Sequence, residues 1–136
     1  MTLLEEFQQF ITAMNLDLGP VLSTKMPASP DRCVVLARYG GPESLLADNY
    51  DEPRIQARVR GPAADVRVAE RDAELIYDRL NGLGTVTLPG GTWLQLAVAL
   101  QAGPVFIGVD ANQRPEYTVN LRCDVSRTST NRSNPA

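Results

Sequence analysis

Apolar residues first recur at helical spacing near the N-terminus. Leu4, Phe7, Ile11 and Met14, with Leu3 and Phe10 beside them, predict an amphipathic helix over roughly residues 3–14. Thr2 and Glu5 have the spacing of a capping box, in which hydroxyl and carboxylate satisfy two orphan amides. Asn15 and Gly19-Pro20 end the helix, and residues 15–32, with three prolines, read as a long connection. Cys33 to Tyr39 is a short apolar run, a buried strand stopped by Gly40-Gly41-Pro42. Residues 41–52, GPESLLADNYDE, read as an acidic loop longer than most connections, a length usually tied to function or mobility. From Arg54 to Arg60 the pattern alternates strictly, with Ile55, Ala57 and Val59 on one side: a half-buried strand.

Pro62 opens the clearest helical pattern. Val66, Ala69, Ala73, Ile76, Leu80 and Leu83 repeat at intervals of three and four, a stripe on a helix about 30 Å long. Asn81-Gly82-Leu83-Gly84 supplies its stop. Strand-like pieces follow. Leu88-Pro89-Gly90-Gly91 suits a type II turn with Gly90 at positive φ. Thr92 to Leu100 then alternates, placing Leu94, Leu96, Val98 and Leu100 on one face and Trp93 and Gln95 on the other. Val105 to Val109 is short and apolar. In the last strand Tyr117, Val119, Leu121, Cys123 and Val125 point inward, and Glu116, Thr118, Asn120, Arg122 and Asp124 outward. Residues 127–136, RTSTNRSNPA, read as a disordered polar tail. The expected architecture is a single two-layer α+β domain over residues 1–126. One mostly antiparallel sheet of four to five strands carries the long helix, and a short N-terminal helix, on its apolar face.

Composition narrows the function by subtraction. The 136 residues are 43% apolar, which fits one globular core, and the apolar runs are too short to span a bilayer. The N-terminus lacks the basic start of a signal peptide, so synthesis in a cytoplasm is the default. Net charge is −3, divided unevenly: residues 1–52 hold three Lys/Arg against eight Asp/Glu, and residues 53–136 hold ten against eight. Neither part has the basic excess of a dedicated nucleic-acid-binding domain. There is no histidine, and Cys33 and Cys123 have no CxxC company, so metal and general-base chemistry lack their usual residues. Both cysteines read as buried free thiols rather than a disulfide or a reactive pair.

Several groups invite a functional reading, and each has a plain one. Glu70, Glu74 and Asp78 share a helix flank, but Arg67 and Arg71 lie close, so a solvated charged face is favoured over a metal site. Val68 and Leu75 lie opposite the main helical stripe; they are isolated exposed residues, a subunit contact, or packing for the N-terminal segment. Trp93 is either the core of a second layer or an interface anchor. Leu45, Leu46 and Tyr50 are the apolar residues of the acidic loop, candidates for a partner contact. Arg54, Gln56, Arg58 and Arg60 share one sheet face, as do Glu116, Arg122 and Asp124. If these strands are neighbours, opposite charges can pair across them. Such a face is mixed in sign, lacks aromatics for base stacking, and offers no nucleophile or base.

The order of segments is distinctive. PRIQARVRGP, a helix ending Tyr77…Leu80-Asn81-Gly82, Leu88-Pro89-Gly90-Gly91-Thr92-Trp93 and Asp110…Arg114…Glu116-Tyr117-Thr118-Val119-Asn120 together resemble the tail-terminator (tail-completion, minor capsid) proteins of long-tailed bacteriophages, over roughly residues 33–126. The resemblance implies a structural virion protein, not an enzyme, with no cofactor or metal and no membrane partner. It implies a homo-oligomer, a hexameric ring that caps the tail tube, stops polymerisation of the major tail tube protein and meets the head–neck connector protein. DNA would only pass through its channel. The setting implied is the tail–neck junction of the virion, assembled in the host cytoplasm. In such a ring Arg54, Gln56, Arg58, Arg60, Glu116, Arg122 and Asp124 would face a neighbouring subunit or the channel, and Val68, Leu75, Trp93, Leu45, Leu46 and Tyr50 would meet partners. Alternatives are another neck or tail component (a head–tail stopper or tube protein) and a small nucleic-acid-binding module using the arginine strand.

Overall fold

The structure is a computed structural model and describes residues 1–46 and 48–132. Two helices, α1 (Leu3–Ala13) and α2 (Arg67–Leu80), accompany eight strands: β1 (Val21–Ser23), β2 (Cys33–Arg38), β3 (Tyr50–Asp51), β4 (Arg54–Arg60), β5 (Gly84–Thr87), β6 (Trp93–Ala99), β7 (Val105–Val109) and β8 (Pro115–Ser126). All eight join one curled sheet. The α+β class is as expected, whereas the four to five strands become eight and the sheet is mixed, because β1 runs parallel to β2. The additional strands are too short to show a period: β1 has three residues inside the proline-rich connection and β3 has two inside the acidic loop.

The twelve-residue β8 is the spine of the sheet. On one edge it pairs antiparallel with β4 and then β3, and these share one register, interrupted only at Glu52-Pro53. On its other edge β7 and then β6 lie end to end, separated by residues 100–104. β5 pairs with β6 alone, so the outer edge of β7 has no strand beside it among the described residues. β2 and β1 extend the sheet beyond β4.

Both helices cover the same face. Leu3, Phe7 and Ile11 of α1 and Ala73, Ile76 and Leu80 of α2 join Val34, Leu36, Ile55, Ala57, Val59, Leu94, Ala97, Val119, Leu121, Cys123 and Val125 in one core. Each large side chain so buried contributes about 1.5–3 kcal/mol. The capping box of Thr2 and Glu5 is formed. The curl brings α1 against the β5–β6 turn, where buried Glu6 accepts hydrogen bonds from the Thr92 hydroxyl (2.5 Å) and amide (3.1 Å).

Three local expectations are corrected. The second helix spans 14 residues, about 21 Å. Its start is delayed because the Asp65 carboxylate accepts from the Arg67 amide and holds a turn there, leaving Val66 exposed. In β6 the register slips between Leu94 and Leu96. That bulge keeps Leu94 in the core, hands the next core positions to Ala97 and Ala99, and turns Leu96 and Val98 to the opposite face. The 88–92 turn closes with Gly91 donating to Leu88 (2.9 Å), and it is Gly91 (φ 99°), not Gly90, that takes the positive φ. That is a hairpin loop with a left-handed glycine after its turn rather than a type II turn.

Candidate functional site

The arginine strand β4 and the last strand β8 are neighbours. Their register sets Arg54 opposite Arg122, Gln56 opposite Asn120, Arg58 opposite Thr118 and Arg60 opposite Glu116, all on the face away from the helices. The charges do pair across the strands, but diagonally: the Arg58 guanidinium donates to Glu116. Gln56 donates to Asn120 at 3.1 Å, and Arg122 pairs with Asp124 two positions along its own strand (3.1 Å).

One end of this face is closed. The 24–32 connection crosses it, and Arg60 donates to the carbonyls of Asp31 (2.9 Å) and Pro30 (2.7 Å). Arg114 donates to Ala28 (2.7 Å), to Asp31 (3.1 Å) and to Asp110 (2.7 Å). Arg60 is therefore 2% exposed and Glu116 4%, and both are withdrawn as surface or channel groups. A buried arginine held by two backbone carbonyls, with the Asp110 carboxylate 3.9 Å away, anchors the connection to the sheet. Nothing in the sequence pattern separates Arg60 from Arg58, because both are outward by alternation. Only the chain folded across them does.

The other end is open. Arg54 is exposed, makes no ion pair among the described residues, and sits directly opposite Arg122. Like charges facing across a ladder destabilise it. Half-buried Gln56, Arg58, Arg122 and Asp124 surround it, with Leu96 opposite Asp124, Val98 opposite Arg122 and Trp93 at the end of β6 opposite Ser126. Trp93 is 48% exposed, which overturns its reading as the core of a second layer.

Beyond this end lies the acidic loop. Leu45 and Leu46 are 58% and 79% exposed, while the Tyr50 hydroxyl donates to Glu52 (2.7 Å) and is pushed above its usual pKa, first by burial and then by that bond. Residues 127–132, the described part of the segment expected to be a disordered polar tail, contact this loop. Arg132 grips Asp51 with two bonds (2.8 and 3.0 Å), Ser129 donates to Asn49 (2.6 Å), and the Arg127 amide donates to the Asn49 carbonyl. Arg132 is the main cause holding the Asp51 carboxyl below its ordinary pKa. The rest of that expected tail, 133–136, lies outside the described residues.

Val68 and Leu75 are half-buried and line a groove of about 470 Å³ with Leu16, Arg32 and Asp72. They face the N-terminal segment, and the Arg32–Asp72 pair (2.7 and 2.8 Å) fastens that segment to α2. Glu70, Glu74 and Asp78 are exposed, and no cluster of potential metal ligands occurs among the described residues. No helix among them is long and apolar enough to cross a membrane.

Sequence reasoning missed the most apolar exposed surface. Val105, Phe106, Ile107 and Val109 of β7 are 38–55% exposed, and the strand's outer edge is bare. Phe106 packs on Tyr117 (ring centroids 5.3 Å apart), and with Val66, Arg67, Glu70, Val109 and Pro115 they line a groove of about 300 Å³ beside the start of α2. The available signal was an unbroken apolar run, VFIGV, in a strand of only five residues. A run without alternation implies two covered faces, and among the described residues both faces of β7 stay partly exposed.

Residues 11–127 match a protein-family profile described as bacteriophage tail terminator protein. No curated protein matches it.

Proposed function

The chain belongs to the bacteriophage tail terminator family, whose members are structural components of the phage tail, and from that premise we propose that its residues 1–126 act as one domain that self-associates into a closed ring. The ring, six-fold by the resemblance, seats on the end of the tail tube, stops addition of the major tail tube protein and offers its other side to the head–neck connector. It acts by shape and contact, without substrate or cofactor, at the tail–neck junction after assembly in the host cytoplasm.

The observation that carries this reading, beside the family, is an exposed apolar strand edge in a chain whose core is otherwise closed. Long apolar edges invite pairing with another chain, and native proteins blunt those they do not use. β7 has no lysine, no proline and, among the described residues, no covering loop; a bulge between Phe106 and Gly108 and a length of five residues are what limit its edge. In the ring, Arg54, Gln56, Arg58, Arg122 and Asp124 face a neighbouring subunit or the channel through which DNA passes, and Trp93, Leu45 and Leu46 meet partners.

Electron microscopy of tail tubes assembled with and without the protein tests the proposal. Tubes of uniform length, each bearing a six-fold ring at one end, are expected with it, and overlong tubes without it. Tubes of normal length in its absence, alongside filled heads that leak DNA, would instead make the protein a head–tail stopper.

A further inference from the structure

Two of the exposed apolar sets among the described residues stand at opposite ends of the longest strand. Leu45 and Leu46 lie in the loop preceding β3, whose Tyr50 is opposite Ser126, the last residue of β8. Val66, Phe106 and Val109 surround Pro115 and Tyr117 at the first residues of β8. Twelve residues at about 3.3 Å each separate the two, roughly 40 Å. Within one copy they cannot meet.

We infer that the groove between β7 and the start of α2 receives the Glu43–Leu46 segment of a second copy of this chain. This rests on the ring reading and names the contact that would build it. Three features of the two surfaces match. Leu46 is 79% exposed and Leu45, beside Pro42 and Tyr50, is still 58% exposed, and the groove is walled by Val66, Phe106, Val109, Pro115 and Tyr117. No backbone–backbone hydrogen bond involves Glu43–Leu46 among the described residues, and the β7 edge has no strand beside it. A short extended segment added there would satisfy both.

Charge points the same way. Glu43, before the two leucines, has no ion-pair partner among the described residues, whereas Asp48, after them, already accepts from the Tyr50 amide (2.9 Å). At the rim of the groove the exposed Arg67 guanidinium has one carboxylate, that of Asp65, which it shares with Arg71 one turn further along α2. Glu70, on the inner wall, already accepts from the Tyr117 hydroxyl at 3.1 Å.

Donor and acceptor are different patches, so the contact is heterologous: each copy gives its loop to one neighbour and takes a loop from the other. Such contacts close into a ring when the rotation between copies permits and grow into a filament otherwise.

The test mixes two single-cysteine additions, Leu46→Cys and Phe106→Cys, under mild oxidation, in concentrated solution and on tail tubes. Cys33 and Cys123 remain, being fully buried. Disulfide-linked dimers are expected from the mixture, well above the level from either variant alone. Linkage no greater in the mixture than in either variant alone overturns the inference. Charge reversal supplies a second reading at exposed positions: Glu43→Arg and Arg67→Glu should each reduce ring yield, and the pair together should restore it. Undiminished rings in both single variants also overturn the contact. Microscopy of the unsubstituted chain separates the two ideas, since rings without the cross-link reject only this contact, and the cross-link without rings rejects only the ring.

Discussion

Gly90 and Glu6 hold one another in place. A Cβ on Gly90 would lie 2.7 Å from the Glu6 carboxyl carbon, the group that receives both the Thr92 hydroxyl and the Thr92 amide. Gly90→Ala must push that carboxylate aside and should cost about 1–3 kcal/mol, the usual penalty for overpacking. Glu6→Ala leaves the two Thr92 donors unpaired, about 1–3 kcal/mol for each if water does not reach it. It also empties the space that Gly90→Ala would need. Urea midpoints of the single and double variants should therefore be non-additive, with Gly90→Ala nearly silent once Glu6 is gone. Gly91 is the control, because a Cβ there meets nothing and its cost comes from φ alone, independent of Glu6. Additive costs for Gly90 and Glu6 would show that they do not share this space. The cysteines give a second residue-level test. Burial pushes both thiols up, Cys123 to about 12, which disfavours the reactive thiolate in each. Maleimide should modify neither Cys33 nor Cys123 in the folded chain, and labelling at the rate of a free thiol would contradict their burial.

At the scale of elements, the β7–β8 hairpin depends on one carboxylate. Asp110 accepts from the amides of Asn112 (2.9 Å) and Arg114 (3.0 Å) and from the Arg114 guanidinium (2.7 Å). The Arg114 amide first, and then its guanidinium and the Asn112 amide, hold the Asp110 carboxyl below 3.8. Because the folded value is the lower one, the unfolded chain takes up the proton first as pH falls. The stabilisation is thus complete above 3.8 and is lost as pH drops through the folded value. Asp110→Asn should lower the thermal midpoint at pH 7, and its deficit against the parent should shrink by pH 3. A deficit that stays constant with pH would remove the charge from the explanation. This hairpin also illustrates what the sequence discloses. The alternation of β4 and β8, the stripe of α2 and the capping box of α1 are local patterns, and they are legible. The bulge at Gln95 is set by where β6 meets β8, so a strict period through Leu94, Leu96 and Val98 misleads. The burial of Arg60 depends on a connection some thirty residues earlier in the chain. The apolar edge of β7 is readable as a run but not as a surface, because its exposure follows from β5 ending beside β6. Several residues that carry the family resemblance serve the scaffold: Asn81 accepts from the Ala99 amide (2.9 Å), and a Cβ on Gly61 would strike Ala69. Sequence thus discloses the scaffold more readily than the contact surfaces.

For the whole molecule, the question is which arginine can test assembly without disturbing the fold. Arg58 is the obvious residue by its central place in PRIQARVRGP, but its guanidinium neutralises Glu116, which is buried. Reversing it to glutamate would set two carboxylates together and leave one buried and unpaired, a loss of about 3–5 kcal/mol to the monomer. Failure to assemble would then report only misfolding. Arg54 separates the two effects. It is exposed, unpaired among the described residues and opposite Arg122, so Arg54→Glu exchanges a like-charge pair for an opposite one. The thermal midpoint of the isolated chain should hold or rise slightly, by no more than about 1 kcal/mol equivalent. If the open end of the sheet meets a neighbour's carboxylates, ring yield and tail completion should fall while the monomer stays intact. If it lines the channel instead, rings should form as before, and the defect should appear only when DNA passes. Rings, tail lengths and DNA delivery all unchanged in Arg54→Glu would leave the open face without either role, and assembly would then rest on the β7 edge and the acidic loop alone.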